Sequence, residues 1–350
     1  MEQSHPRRGH RTELIMATSR PIVYVIGTGG SISCIGESRT DFLDYGYADR
    51  HYTIDEMLAR LPELAGIATV RSEQLTNVGS GELSPAHWLA LAKRINAIFR
   101  EAPEASGVAV THGTATLEET AYFLNLAVRS TKPVVVTGAM RPMTAISNDA
   151  DLNLFDAVRI AATEHAANRG VLVILNNQIH AAREVTKSNT SRLDTFKTPD
   201  LGYLGYADSD GEIVFYREGT RRHTARTEFD VDTVDALPRV DIAYAYAGAD
   251  GTVIEAFAKA GCRGLVAAGL GSGSTPRAFT DALTELARSG VPVVVASHSP
   301  GGRVMARRIF TDRGLIPSDN LQPRKARILL MLALTRTRDP AEIARMFQTY

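Results

Sequence analysis

Short apolar runs rich in valine and isoleucine alternate with longer stretches of helical periodicity through the first half of the chain, and the rhythm resumes after residue 239. Such alternation is the signature of parallel strands joined by crossover helices. Strands are expected at Ile22–Ile26, Gln74–Val78, Val108–Thr111, Val134–Thr137 and Val171–Leu175. Between them Trp88, Leu91, Ala92, Ile95 and Phe99 recur at helical spacing, so residues 86–99 read as an amphipathic helix. Ser84 and Pro85 supply its N-cap and first-turn proline. Leu117–Val128 and Leu152–Ala162 read the same way. From Asp208 to Leu237 the chain turns polar and arginine-rich, with a hairpin signal at Asp210-Gly211. A second α/β pattern then places strands at Val240–Tyr246, Gly264–Ala268 and Val291–Ala296, with helices near 275–288, 323–335 and 340–349. The expected fold class is therefore α/β in two domains. A larger, mostly parallel N-terminal domain covers 21–216, a linker 217–238, and a smaller parallel C-terminal domain 239–350.

Composition narrows the function classes. At 350 residues the chain exceeds a comfortable single core, and 44% hydrophobic with 22% charged residues is ordinary globular composition. Lys+Arg and Asp+Glu are balanced at 39 each, so no global basic field exists to hold nucleic acid or an anionic membrane. Cys34 and Cys262 are too few for a disulfide framework and match no zinc spacing. The longest apolar run, Ile328–Leu334, is far short of a membrane span. Residues 1–20 are polar and basic and lack the apolar core of a secretory signal, so a disordered, tag-like lead-in and cytoplasmic residence are the default expectations.

In an open parallel sheet, ligands bind where loops leave the carboxyl ends of the strands. Here those loops carry Gly27-Thr28-Gly29-Gly30-Ser31, Gly79-Ser80-Gly81-Glu82, Thr111-His112-Gly113-Thr114 and Gly138-Ala139-Met140-Arg141. Singly, each reads as a tight turn with a helix cap. Together they gather glycines, which admit close backbone approach, beside hydroxyls that serve as hydrogen-bond partners or nucleophiles. The first loop fails the dinucleotide fingerprint at Ile32 and lacks a P-loop ending. No Gly-x-Ser-x-Gly elbow and no His-Glu-x-x-His motif occurs, and His112 reads as a packed or loop-bonding histidine rather than a metal ligand. A hydroxyl nucleophile without a histidine base calls for a desolvated lysine, and Lys187 in Val185-Thr186-Lys187-Ser188-Asn189-Thr190 is positioned after the fifth strand to be one.

With these motifs in order, together with Leu117-Glu118-Glu119-Thr120-Ala121, Asn168-Arg169-Gly170-Val171 and Lys325-Ala326-Arg327, the chain resembles the bacterial-type L-asparaginase/glutaminase family over residues 20–350. The resemblance implies a two-domain amidohydrolase that needs no cofactor or metal, acts on a small-molecule amide, and assembles as a homotetramer of intimate dimers. Carried over by position, Ser31 falls on the family's first-loop threonine nucleophile. Thr114 falls on its second threonine, with Lys187 as basic partner. Ser80 falls on a substrate-carboxylate contact, with Gly30, Gly81 and Gly113 beside it. A lid over 34–52 brings in a tyrosine, either Tyr45 or Tyr47. Ser274, in the Gly271-Ser272-Gly273-Ser274 loop, falls where an amide contributes across the dimer.

The departures bear on specificity. Where the family has an aspartate that grips the substrate's α-ammonium, this chain has Ala115, a loss of roughly 1.5–3 kcal/mol per charge-assisted bond. The glutamine expected after Ser80 is Gly81, and 300–312 offers Arg303, Arg307 and Arg308 where a cross-subunit glutamate is expected. Two enzymatic expectations follow: an asparaginase that holds the ammonium by other residues, or a hydrolase of a related amide or lactam without a free α-amine. A non-catalytic binding relative is the third, and joint retention of Ser31, Thr114 and Lys187 argues against it.

Overall fold

The computed structural model describes residues 20–46 and 49–350. Tyr47 and the lead-in before residue 20 lie outside the described residues. In the first half, β1 (Ile22–Gly27), β2 (Thr69–Gln74), β3 (Ala105–Thr111), β4 (Val134–Thr137) and β5 (Val171–Leu175) run parallel. They are linked through α1 (Ile54–Ala59), α2 (Pro85–Glu101), α3 (Leu117–Ala127) and α4 (Ala150–Ala162). After β5 the chain reverses into antiparallel β6 (Gln178–Ala181). A separate two-stranded ribbon of β7 (Thr186–Lys187) and β8 (Phe196–Lys197) follows, then a hairpin of β9 (Gly205–Ala207) and β10 (Ile213–Phe215). The resulting eight-stranded sheet has the order β10-β9-β6-β5-β4-β3-β1-β2. The second sheet is wholly parallel: β11 (Val240–Tyr244), β12 (Gly264–Gly269), β13 (Val293–Ser297) and β14 (Leu315–Pro317), in that order. Helices α5 (Thr252–Lys259), α6 (Arg277–Arg288), α7 (Arg308–Thr311), α8 (Pro323–Ala333) and α9 (Pro340–Thr349) accompany it. This is the expected α/β architecture, a large mixed, mostly parallel sheet and a small parallel one.

The expected strand at 74–78 is displaced. β2 ends at Gln74, and residues 75–79 are the loop beyond it. β2 is an edge strand with mostly exposed, polar residues, so it carries no apolar run, and Leu75 and Val78 drew the assignment past its end. Helix α1 also escapes the periodicity argument because it has only six residues; Thr53 and Glu56 form its capping box.

Register brings the strand ends level. Gly27 pairs with Gln74 on one side and Thr111 on the other, Thr111 with Thr137, and Thr137 with Ile174. The order β2-β1-β3 makes the β1/β3 boundary a switch point, where successive loops leave in opposite directions and open a crevice. One hydrophobic cluster runs from Trp88, Tyr122 and Phe123 beneath the large sheet to Ile328, Leu329 and Phe347 on α8 and α9, joining the two sheets through helices. Phe229 and Val231, in the segment between the sheets, are buried in the same cluster. No described helix is long and apolar enough to cross a membrane.

Helix α4 sits close against β3 at one glycine. A Cβ on Gly107 would lie 2.2 Å from the Ala161 carbonyl oxygen and 2.9 Å from that of Pro133, both backbone atoms. Gly107→Ala is therefore expected to destabilise the fold by about 1–3 kcal/mol in denaturant unfolding. Gly66→Ala, where nothing lies within 4 Å, is expected to stay within about 0.5 kcal/mol of the unsubstituted chain.

Candidate active site

Three loops meet over the β1/β3 crevice by backbone contact. A Cβ on Gly30, whose φ is +89°, would lie 2.1 Å from the Gly113 Cα, and one on Gly113 would lie 2.8 Å from Ser80 Oγ. Only glycine at both positions lets the Ser31, Thr114 and Ser80 loops converge. Side chains then lock the loops. Thr28 Oγ1 donates to the Thr111 carbonyl at 2.8 Å, Ser33 Oγ to that of Gly30 at 2.9 Å, and Thr116 Oγ1 to that of Ser80 at 2.8 Å.

His112 is the keystone of the third loop. Its Nδ1 lies 2.7 Å from the Gly113 carbonyl, which only accepts, so Nδ1 carries the proton. Nε2 then accepts from the Thr120 hydroxyl at 2.7 Å, and Thr120 accepts from Trp88 Nε1 at 2.9 Å. Full burial pushes the imidazole down to about 4, so it stays neutral and the single-tautomer chain persists. The loop-bonding reading of His112 holds.

The cleft has a volume of about 640 Å³, and Gly30, Ser31, Tyr45, Ser80, Thr114, Ala115 and Lys187 all line it. Tyr45 Oη donates to Ser31 Oγ at 3.2 Å. Lys187 Nζ donates to Thr114 Oγ1 at 2.7 Å. Burial lowers the Lys187 pKa from its ordinary value, while the charge of Glu118 opposes that shift. Glu118 is itself buried and paired with Arg324 at 2.9 Å.

Gly81 and Ser274 do not line this cleft. Gly81 is exposed on the turn after Ser80, and Ser274 is exposed in the small-sheet half, hydrogen-bonded to Leu270. Cys34, Phe42, Leu43, Asp49, His51, Met140, Arg141, Thr190 and Ser191 also line the cleft, and sequence reasoning had assigned none of them a role. His51 was in reach of it, because it sits in the 34–52 segment beside Asp49; its Nδ1 lies 3.0 Å from Ser33 Oγ and its Nε2 3.2 Å from Asp49. That segment is docked on the 140–147 loop. Gly36 N donates to Thr144 Oγ1 at 3.0 Å, Ile146 N donates to the Arg39 carbonyl at 2.9 Å, and Arg141 lies over the Phe42 ring. Among the described residues no group of three or more His, Cys, Asp or Glu side chains is placed to hold a metal.

A hydroxyl-and-lysine cleft at the switch point of a two-sheet α/β protein defines a class of amidohydrolase. Residues 22–221 match the asparaginase N-terminal family and 239–347 the glutaminase/asparaginase C-terminal domain. The chain is 42% identical to L-asparaginase 2 of Bacillus subtilis over 94% of its own length and 87% of that protein's. It is 38% identical to the glutaminase-asparaginase of Pseudomonas fluorescens biotype A, covering 99% and 95%. The structure of a probable cytoplasmic L-asparaginase from Campylobacter jejuni superposes with a TM-score of 0.87 at 40% identity, covering 95% of this chain and all of that one. The chain belongs to the L-asparaginase/glutaminase family of amidohydrolases.

Proposed function

We propose that the protein hydrolyses a side-chain carboxamide to a carboxylate and ammonia, with Ser31 as nucleophile and asparagine or glutamine as the leading substrates. The observation that carries this reading is the Lys187–Thr114 contact at 2.7 Å in the same cleft as Ser31. Ser31 Oγ attacks the amide carbon and its proton passes to the departing nitrogen, which leaves as ammonia. Tyr45, already hydrogen-bonded to Ser31 Oγ, orients that hydroxyl. Water, with Thr114 relaying its proton to the Lys187 amine, then attacks the acyl carbon; the Ser31 Oγ–carbonyl bond breaks, the carboxylate leaves, and the proton returns through Thr114 to Ser31 Oγ. Backbone N–H groups at Thr114-Ala115 serve the oxyanion, a role worth about 2.7–4 kcal/mol per donor. Ser80 receives the substrate carboxylate. The family resemblance supports a homotetramer of intimate dimers in which Ser274 reaches a neighbour's site; cytoplasmic residence rests on the polar lead-in and on likeness to the probable cytoplasmic L-asparaginase of Campylobacter jejuni, whereas a Haemophilus influenzae relative is described as a probable periplasmic L-asparaginase.

A second reading has a specific observation behind it. The cationic side chains lining the cleft are Arg141 and Lys187, and the one carboxylate among its described residues, Asp49, already faces His51 at 3.2 Å. Among the described residues the lining offers no second carboxylate to receive an α-ammonium. On this second reading the substrate is a related amide or lactam without a free α-amine.

Ser31→Ala is expected to lower kcat by at least about a hundredfold in an ammonia-release assay, the scale of losing a positioned catalytic group. Near-normal turnover would transfer the nucleophile's role to Thr114. Silence of the unsubstituted protein across asparagine, glutamine, N-acylated amides and lactams would instead indicate a binding protein. Because the proposed base is the neutral amine and acts on the acyl-enzyme, kcat is expected to rise with pH along a limb lying below the ordinary lysine value of 10.5, and Lys187→Arg is expected to abolish that limb. Ala115→Asp is expected to raise the preference for asparagine over succinamate by roughly ten- to a hundredfold, as read from the ratio of kcat/KM values. An unchanged ratio would remove Ala115 from the account of specificity.

A further inference from the structure

Behind the Lys187 ribbon, at the seam between the two sheets, lies a second and much smaller cavity of about 40 Å³. That is room for a halide or a one-carbon carboxylate and too little for an amino acid. Arg183, Asp200, Gly301, Gly302, Gln322 and Lys325 are among the residues that line it. Arg183 is only 8% exposed, and its Nε and Nη2 are buried with no hydrogen-bond partner among the described residues. A buried guanidinium left in that state carries an uncompensated desolvation cost.

The neighbouring carboxylates are already engaged. Glu184 pairs with Arg217, Asp319 pairs with both Arg221 and Arg303, and Asp200 accepts from the Gly302 N–H at 2.8 Å. Lys325 adds a second buried cation, whose Nζ donates to the carbonyls of Arg183, at 2.9 Å, and Val185. The first turn of α8 borders the cavity at Gln322 and Lys325, so the positive end of that helix adds to the field. Glu184 and Asp200 line this space together with Arg183 and Lys325, and once the pairings above are made the Arg183 Nε and Nη2 donors are the ones left without an acceptor among the described residues.

We propose that this seam binds a small monovalent anion, a halide or a formate-sized carboxylate, against Arg183. The anion neutralises Arg183 and stiffens the Arg183–Val185 segment, whose continuation, Thr186–Lys187, enters the active site. The proposal is independent of which amide is cleaved.

Thermal unfolding of the full-length protein in sodium bromide, sodium formate and sodium gluconate at matched ionic strength tests it, gluconate being too large to enter. The melting temperature is expected to rise saturably by a few degrees in bromide or formate over gluconate, and the larger of the two rises identifies the source as halide or carboxylate. In Arg183→Met this difference is expected to vanish. Identical curves in all three salts, or a difference that survives Arg183→Met, would overturn the proposal. Should that variant fail to fold, bromide-soaked crystals of the unsubstituted protein decide the matter. An anomalous peak beside the Arg183 guanidinium supports the site, and bromide found only elsewhere refutes it.

Discussion

The active cleft depends on backbone pressed against backbone at Gly30 and Gly113. A side chain at either position would collide with the opposite loop or with Ser80, so the approach of the three hydroxyl-bearing loops is a steric condition before it is a chemical one. That condition is met because β1 and β3 end in register, Gly27 beside Thr111, which delivers both loops to the same height at the switch point. The Trp88–Thr120–His112 chain then holds the Gly113 carbonyl from below, with a histidine kept neutral by burial. A charged imidazole would lose its acceptor nitrogen and release Thr120.

Lys187 reaches the cleft by a different route. It does not follow a parallel strand. It comes from the short β7–β8 ribbon after the sheet has turned antiparallel, and it arrives where burial favours its neutral form. The ribbon is braced from behind by the small-sheet half of the molecule: Lys325 of α8 donates to the carbonyls of Arg183 and Val185, and Thr186 meets Gln322. Lys187 is thus tied to the packing of the two halves on one another, which links the small cavity at the seam to the cleft in front of it.

The cleft's charge separates this chain from a generic amino-acid amidase. Arg141 and Lys187 line it, while Asp49 is turned to His51. Ser31, Thr114 and Lys187 share the cleft, which is the arrangement the proposed amide cleavage uses. Ala115 itself brings no charge to the cleft, and charge-assisted contacts to a substrate head group are among the stronger interactions available there.

The alternation of apolar runs and helical periods was sufficient, from sequence alone, to define a larger, mostly parallel α/β unit and a smaller parallel one, though not the antiparallel strands β6, β9 and β10, because a buried strand and an amphipathic helix each impose their own spacing of apolar residues. The glycine–hydroxyl pairs after the strands and the motif order made Ser31, Thr114 and Lys187 legible as a group. Legibility failed where local pattern carries no information. β2 is a polar edge strand, α1 is too short for periodicity, and Arg141, His51 and Phe42 join the cleft only through the docking of the 34–52 segment on a loop about a hundred residues away. Chain order determined which hydroxyls and which lysine were available. Tertiary structure alone decided that Lys187 and Thr114, 73 residues apart, stand 2.7 Å from one another, because that distance is set by strand register and by the packing of α8 behind the ribbon, neither of which any local stretch encodes.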